Sequence, residues 1–368
     1  AEDSERIGKV YNLAGIIYRN RGALDEAQSY YQRALPYASS DYLKANILTN
    51  IANIYADRGD ITKAVENNFK ALEMLDPSYP AMQAALYHNI GYAYLRIRRW
   101  RKAIEYAEKS ICLESKLPGS NKWDNYYNCA MAYTQIGEYE RAEHYYNISK
   151  NNCLQEYGTN HYNMAIVYLN YAELLTETGL YEKALTYLNL SYKTLQNTVG
   201  PNHIYTFYCL RDIGEYYITV GDYKEALKYF SRANKNPNYA DLDIIDLFYN
   251  QALAFEGLYG MTSEKQMLLN SLSQIDSAVY RIEQLRKGYL SEESKLRLAY
   301  NENDVYKSGI RISEKLYRLT QNPIFLESAF KFSDKEKYAV LYELTTDGGL
   351  EKEYRLAGIQ SVLAPAQA

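Results

Sequence analysis

The chain has 368 residues, 47% of them hydrophobic and 23% charged, with a net charge of −4 at pH 7. This is ordinary globular usage, and the charge excludes a protein built to coat a polyanion. No apolar run approaches the ~20 residues of a membrane helix.

Tyrosine is the outlier, with 42 against 8 Phe and 2 Trp. A tyrosine buries its ring while its hydroxyl stays wet, which suits thin structures whose every layer lies near water. The opening residues, AEDSERIGKVYN, carry neither an initiator Met nor an apolar signal core. They read as a processed chain or a fragment. The cytoplasm is the expected compartment, with export left open.

Along the chain one phrase returns six times: GALDEAQSYYQRA from Gly22, GDITKAVENNFKA from Gly59, RRWRKAIEYAEKS from Arg98, GEYERAEHYYNIS from Gly137, GLYEKALTYLNLS from Gly179 and GDYKEALKYFSRA from Gly221. Its alanine recurs at Ala27, Ala64, Ala103, Ala142, Ala184 and Ala226, at intervals of 37, 39, 39, 42 and 42 residues. A fixed period of that size predicts a solenoid. Apolar residues on both sides of each turn, such as Leu210, Ile213 and Tyr217 before it and Tyr223, Leu227 and Phe230 after it, follow the three- and four-residue spacing of amphipathic helices. A lone two-helix hairpin cannot bury its apolar face, so neighbouring hairpins must stack.

Gly15, Ala52, Gly91, Ala130, Ala172 and Gly214 each stand twelve residues before the phrase alanine. Small residues there let the two helices of a hairpin approach closely. The phrase glycines end the first helix in a left-handed conformation. Arg98 occupies that place in the third repeat, which predicts a different turn.

The sixth repeat, with Leu210, Ile213, Gly214, Tyr217, Gly221, Tyr223, Ala226, Phe230 and Ala233, resembles the tetratricopeptide repeat. The resemblance implies an all-α, right-handed superhelix of helix-turn-helix repeats that binds protein or peptide. Six repeats are expected over 1–236. His161 and His203, 42 residues apart in YGTNHYNMA and VGPNHIYTF, resemble the connectors of kinesin light chain repeats. Each stands without a second ligand, so a helix cap or a packed connector is expected rather than a metal.

A degenerate seventh repeat is expected over 237–290, with Phe248, Ala252 and Phe255 in register and Ser263 and Gln266 forming a capping box. A long helical pair follows over 291–345, with Asn322–Pro323 as a helix start, and a tail over 346–368. The stretches LSEESKLRLAYNENDVYKSGIRISEKLY and LESAFKFSDKEKYAVLYEL resemble the segment that joins tetratricopeptide repeats to caspase-like CHAT peptidase domains in bacterial proteins. Ala329–Phe330, Glu336–Lys337 and Leu341–Glu343 carry that likeness, as does the closing AGIQSVLA, with Gln360 where proline is usual. The resemblance implies a regulatory arm whose catalytic domain lies beyond Ala368. The final helices are also a candidate surface for self-association.

Candidate binding residues follow from the inward stripe of each first helix. Asn50, Asn89, Asn128, Asn170 and Asn250 stand two residues before the small residue or its counterpart, and the sixth repeat has Asp212 there. A carboxamide both donates and accepts, so such a row either pairs with the backbone of an extended peptide or bonds the neighbouring repeat and tightens the stack. Asn53, His88, Tyr92, Arg96, Tyr127, Met131, Glu173, Glu177, Arg211 and Glu215 share the stripe. Basic and neutral residues dominate its early part, and carboxylates its fifth and sixth repeats. A ligand with its basic part toward Glu173, Glu177 and Glu215 suits that field.

RIRRWRK, Arg96 to Lys102, reads as a solvated turn with Trp100 packed. A cysteine peptidase needs a His–Cys dyad. His144 and Cys153, nine residues apart, make none. Cys112, Cys129, Cys153 and Cys209 permit three full pairings, and reduced, packed thiols are expected. No catalytic residue, metal or cofactor is expected in this chain. A free-standing adaptor and a glycan-binding surface protein are the alternative functions.

Overall fold

The computed structural model describes residues 2–117, 122–235, 241–289, 295, 298 and 302–346. All regular structure among them is helical. In chain order the helices are α1 (Glu2–Asn20), α2 (Leu24–Ala34), α3 (Asp41–Asp57), α4 (Ile61–Glu73), α5 (Pro80–Arg96), α6 (Trp100–Glu114), α7 (Trp123–Gln135), α8 (Tyr139–Tyr157), α9 (Tyr162–Glu177), α10 (Tyr181–Thr198), α11 (Ile204–Thr219) and α12 (Tyr223–Ala233). Four longer helices follow: α13 (Asp241–Thr262), α14 (Lys265–Gly288), α15 (Asn303–Thr320) and α16 (Ile324–Thr346). The chain divides into two compact units, Ala1–Val220 with Ser231–Ala240, and Gly221–Phe230 with Asp241–Ala368. The division falls within the sixth phrase.

In the first unit α1 packs on α2, α3 on α4, α5 on α6, α7 on α8 and α9 on α10, and each second helix also packs on the next hairpin. The phrase alanines from Ala27 to Ala184 are at most 1% exposed. A Cβ on Gly15 would lie 2.4 Å from Cε1 of the Tyr31 ring, and one on Gly91 would meet the Ala107 nitrogen at 3.2 Å. Close helix approach therefore accounts for the small residues at these two positions. Tyrosines twelve residues apart stack inside three hairpins: Tyr18 on Tyr30, Tyr94 on Tyr106 and Tyr133 on Tyr145, with ring centres 5.0, 5.6 and 5.4 Å apart. Serines that end three of the phrases cross-link their hairpins. Ser110, Ser149 and Ser191 donate to the carbonyls of Ala84, Trp123 and Ala165 at 2.8, 2.9 and 2.8 Å.

The turns are alike, including the third. Gly22, Gly59, Gly137 and Gly179 have φ between 76° and 79°, and Arg98 has φ 56°. The amide after each closes the same backbone bond, Arg99 to the Tyr94 carbonyl at 2.9 Å and Glu138 to the Tyr133 carbonyl at 3.0 Å. The expectation of a different third turn is thus corrected: helix packing imposes the left-handed conformation on an arginine. That conformation costs an L-residue about 1–2 kcal/mol. Arg98→Gly should therefore stabilise the chain by about 1 kcal/mol, seen as a higher urea midpoint at unchanged m-value.

In the second unit α13 packs on α14, α14 on α15 and α15 on α16. Leu272, Ile275, Val279, Ile282, Tyr306 and Leu316 form the centre of its core. Glu256 on α13 binds Arg311 at 2.8 Å and Lys315 at 2.7 Å on α15. Burial raises its carboxyl, but these two cations outweigh burial and hold it below the usual range. The capping box expected at Ser263 does not form. Ser263 takes φ 56° and closes α13, its amide reaching the Tyr259 carbonyl at 2.8 Å, and α14 begins behind Glu264. Asn322 starts α16 as expected, its side chain accepting from the Ile324 amide at 3.1 Å. Ala329–Phe330 and Glu336–Lys337 lie on α16, whereas AGIQSVLA lies outside the described residues.

Candidate ligand-binding trough

The first helices α5, α7, α9 and α11 touch one another in sequence and form one wall of the first unit. The wall curves inward. Tyr92 on α5 acts electrostatically on Tyr205 at the start of α11, and Tyr127 on α7 feels Tyr92, Glu173, Asp212 and Tyr205 together. Burial holds the Tyr127 hydroxyl far above its ordinary range, with those neighbours adding to it. Tyr92 is 44% exposed, so this wall has an open edge as well as a crowded floor.

The asparagine row divides into two behaviours. Asn50 donates to Asn12 at 2.9 Å, and Asn12 donates to Asn46 at 2.9 Å, so these carboxamides bind the first repeat to the second. Asn128 and Asn170 are 2% and 4% exposed, and the side-chain nitrogen of each is buried without a hydrogen-bond partner. Asn89 and Asn53 are partly buried on α5 and α3. Asn250 lies on α13, in the second unit.

His88 is engaged by the next repeat. Its Nδ1 lies 2.9 Å from Asn125 Oδ1, and Asn125 donates to Ser110 at 2.9 Å and to Glu114 at 3.0 Å. Burial pushes the Glu114 carboxyl above its ordinary range, although Asn125 and Lys122 oppose it. This network ties α5, α6 and α7 together, so His88 has a stacking role. Arg211 binds its own neighbour Asp212 at 3.0 Å and Glu215 at 3.4 Å. Glu173 accepts from Gln135 at 2.6 Å across α7 and α9. Its carboxyl is pushed up to about 7 by burial first and by Asp212 second. Arg96 and Met131 are partly buried, and Glu177 is exposed.

Sequence reasoning named Asp212 only as a break in the asparagine row and did not select Gln135 or Tyr205. The acidic substitution at a repeated position was the available signal for Asp212. For Gln135 and Tyr205 the signal was absent, because their placement depends on the curvature of the wall.

His161 and His203 cap helices as expected, their Nδ1 atoms accepting from the Asn163 and Tyr205 amides at 3.2 and 3.3 Å. All four cysteines are free, and Cys129, Cys153 and Cys209 are buried. Burial pushes the Cys153 thiol up to about 12 and raises those of Cys129 and Cys209 further, the opposite of an activated nucleophile. Cys112 departs from the packed arrangement and is exposed. Among the described residues no helix is long and apolar enough to cross a membrane.

The tetratricopeptide-repeat model matches residues 6–76, 124–197 and 163–234, and a second model of the same repeat matches 85–119. The chain belongs to the tetratricopeptide-repeat family. It is 26% identical over 136 residues to outer dynein arm-docking complex subunit 4 of Danio rerio, a match covering 36% of this chain and 27% of that protein. The chain thus spans about a quarter of that relative's length.

Among solved structures it is similar to a Rap protein complexed with competence and sporulation factor, with TM-score 0.55 and 13% identity over 87% of this chain and 81% of that one. It is also similar to NprR in complex with its cognate peptide NprX, with TM-score 0.52 and 18% identity over 92% and 98%. These likenesses establish the fold.

Proposed function

We propose that the wall formed by α5, α7, α9 and α11 holds an extended peptide or protein segment. The observation that carries this reading is the pair of buried, unpartnered amide groups of Asn128 and Asn170 at the same position of successive repeats. Each unmet donor costs about 1–3 kcal/mol, and a peptide carbonyl would satisfy it. Both amides are buried, so the ligand reaches them only as the wall rearranges. NprR, which this chain resembles in fold, is in complex with its cognate peptide NprX, and this supports the reading.

The test is a decapeptide selected from a random library on the full chain. Asn128→Ala with Asn170→Ala should weaken its binding about tenfold or more, at one lost hydrogen bond of ~1 kcal/mol per residue. Folding stability should change little, since relief of the two unmet donors offsets the packing lost with the side chains. Unchanged affinity with intact helicity would remove these residues from the site.

In its larger setting the chain is the sensor or regulatory arm of a bacterial protein with a CHAT peptidase domain. Support comes from the tail phrases, whose Ala329–Phe330 and Glu336–Lys337 share helix α16. Stacked repeats transmit strain between neighbours, so a ligand that resets the wall can bias a domain attached downstream. The gene beyond Ala368 should encode a His–Cys dyad, and a different downstream domain, or none, refutes the assignment.

A further inference from the structure

Two positions on each first helix face the hairpin before it. One lies seventeen residues ahead of the phrase alanine and holds Ile47, Leu86, Asn125, Val167 and Cys209 in repeats two to six, all 0% exposed. The other lies ten residues ahead and holds Ile54, Ala93, Ala132, Leu174 and Tyr216, none more than 8% exposed.

The preceding second helix supplies the cover, since each second helix packs on the next first helix. Ile47 and Ile54 share a core with Ala27, Tyr31 and Ala34 of α2, and Leu86 joins it beside Ala71 of α4. Asn125 donates to Ser110 and Glu114 of α6. Val167 packs with Tyr146 and Cys153 of α8, and the Cys209 sulfur lies 3.9 Å from the Leu188 carbonyl of α10. A third position, between these two, reaches the preceding first helix, as Asn50 does by its bond to Asn12 of α1.

In the first repeat the three positions hold Val10, Leu13 and Ile17, which are 66%, 58% and 44% exposed. Their three- and four-residue spacing puts them on one face of α1. Leu13 stands where the next four repeats have asparagine, so the exchange makes this face more apolar. A repeat that ends a solenoid carries a polar outer face to stay soluble. The face of α1 is the reverse and matches in register the faces that are buried in all five later repeats.

We propose that Val10, Leu13 and Ile17 dock a further hairpin of the same repeat, supplied by the same polypeptide ahead of Ala1. Continuity with the five stacked interfaces fixes the occupant. Its second helix lies over Val10 and Ile17, and its first helix meets Leu13 with an apolar residue where Asn12 meets Asn50. The docking needs no ligand in the trough.

The gene ahead of Ala1 supplies the probe. It should encode the phrase with its alanine 37 to 42 residues before Ala27, the range of the intervals between successive phrase alanines. A chain extended by that native hairpin should exchange its α1 amides about tenfold or more slowly than the 368-residue chain, because the terminal helix gains a neighbour. Val10→Gln with Leu13→Gln and Ile17→Gln should erase that gain. The same triple substitution should leave the urea midpoint of the 368-residue chain unchanged, since the three side chains are exposed there.

Absence of the phrase from the upstream sequence overturns the proposal. So does an extended chain whose α1 exchange is unchanged, or is slowed equally in the triple variant. A lowered midpoint of the triple variant in the 368-residue chain overturns it too, because the face would then be packed already. A dimer of that chain in sedimentation, dissolved by the triple substitution, overturns it in favour of a second copy.

Discussion

Gly15→Val is expected to destabilise the first hairpin by about 3 kcal/mol, at the upper end of overpacking costs in tight cores. A Cβ at this position would lie 2.4, 2.6 and 2.9 Å from atoms of the Tyr31 ring. Tyr31 cannot swing aside, since it is 0% exposed among Ala27, Ala34 and Leu43. Replacing glycine in a helix normally helps by a few tenths of a kcal/mol to 1 kcal/mol, which is too little to offset the clash. Because each repeat contacts only its neighbours, the damage should remain local. Hydrogen exchange should show faster exchange in α1 and α2 while α7 to α10 keep their protection. Equal loss along the whole first unit would contradict stacking of each hairpin on its neighbours alone.

The second large effect is on pH dependence. Glu173 is held up to about 7 in the fold against 4.5 ordinarily. Between those values the folded chain binds a proton that the unfolded chain has released, so this group's contribution to stability falls as pH rises through the window. The loss, complete above about pH 7, amounts to no more than about 3 kcal/mol. Glu173→Gln does not titrate. Its stability relative to the wild type should therefore climb from pH 4.5 to pH 8, measured as the difference in urea midpoints. A difference that stays flat across that range would show that the carboxyl is not buried against Asp212.

Much of this architecture could be read in the thirteen-residue phrase. Its alanine and the small residue twelve positions earlier mark buried helix contacts, such as Gly15 against Tyr31, and its glycine marks the left-handed turn. The serines at the ends of three phrases were equally visible, and their bonds to Ala84, Trp123 and Ala165 repeat a single geometry. Their meaning was missed because alanine fills the same place in the other repeats. Arg98 misled for the opposite reason: the residue changed while the backbone did not. The division of the asparagine row could not be read at all. Asn50 and Asn128 share a repeat position, yet Asn50 bonds Asn12 on α1 and Asn46 one turn earlier on α3, whereas the Asn128 nitrogen has no partner. The pairing of Glu173 with Gln135 and its proximity to Asp212 likewise depend on how sharply successive repeats turn.

The most direct test of the trough is photo-crosslinking of the full chain to a benzophenone-bearing copy of the selected decapeptide, read out by mass spectrometry. The account predicts adducts on α5, α7, α9 and α11, centred on Tyr92, Met131 and Glu173, and competed away by unlabelled peptide. Competable adducts confined to the second helices α6, α8 and α10 would contradict it.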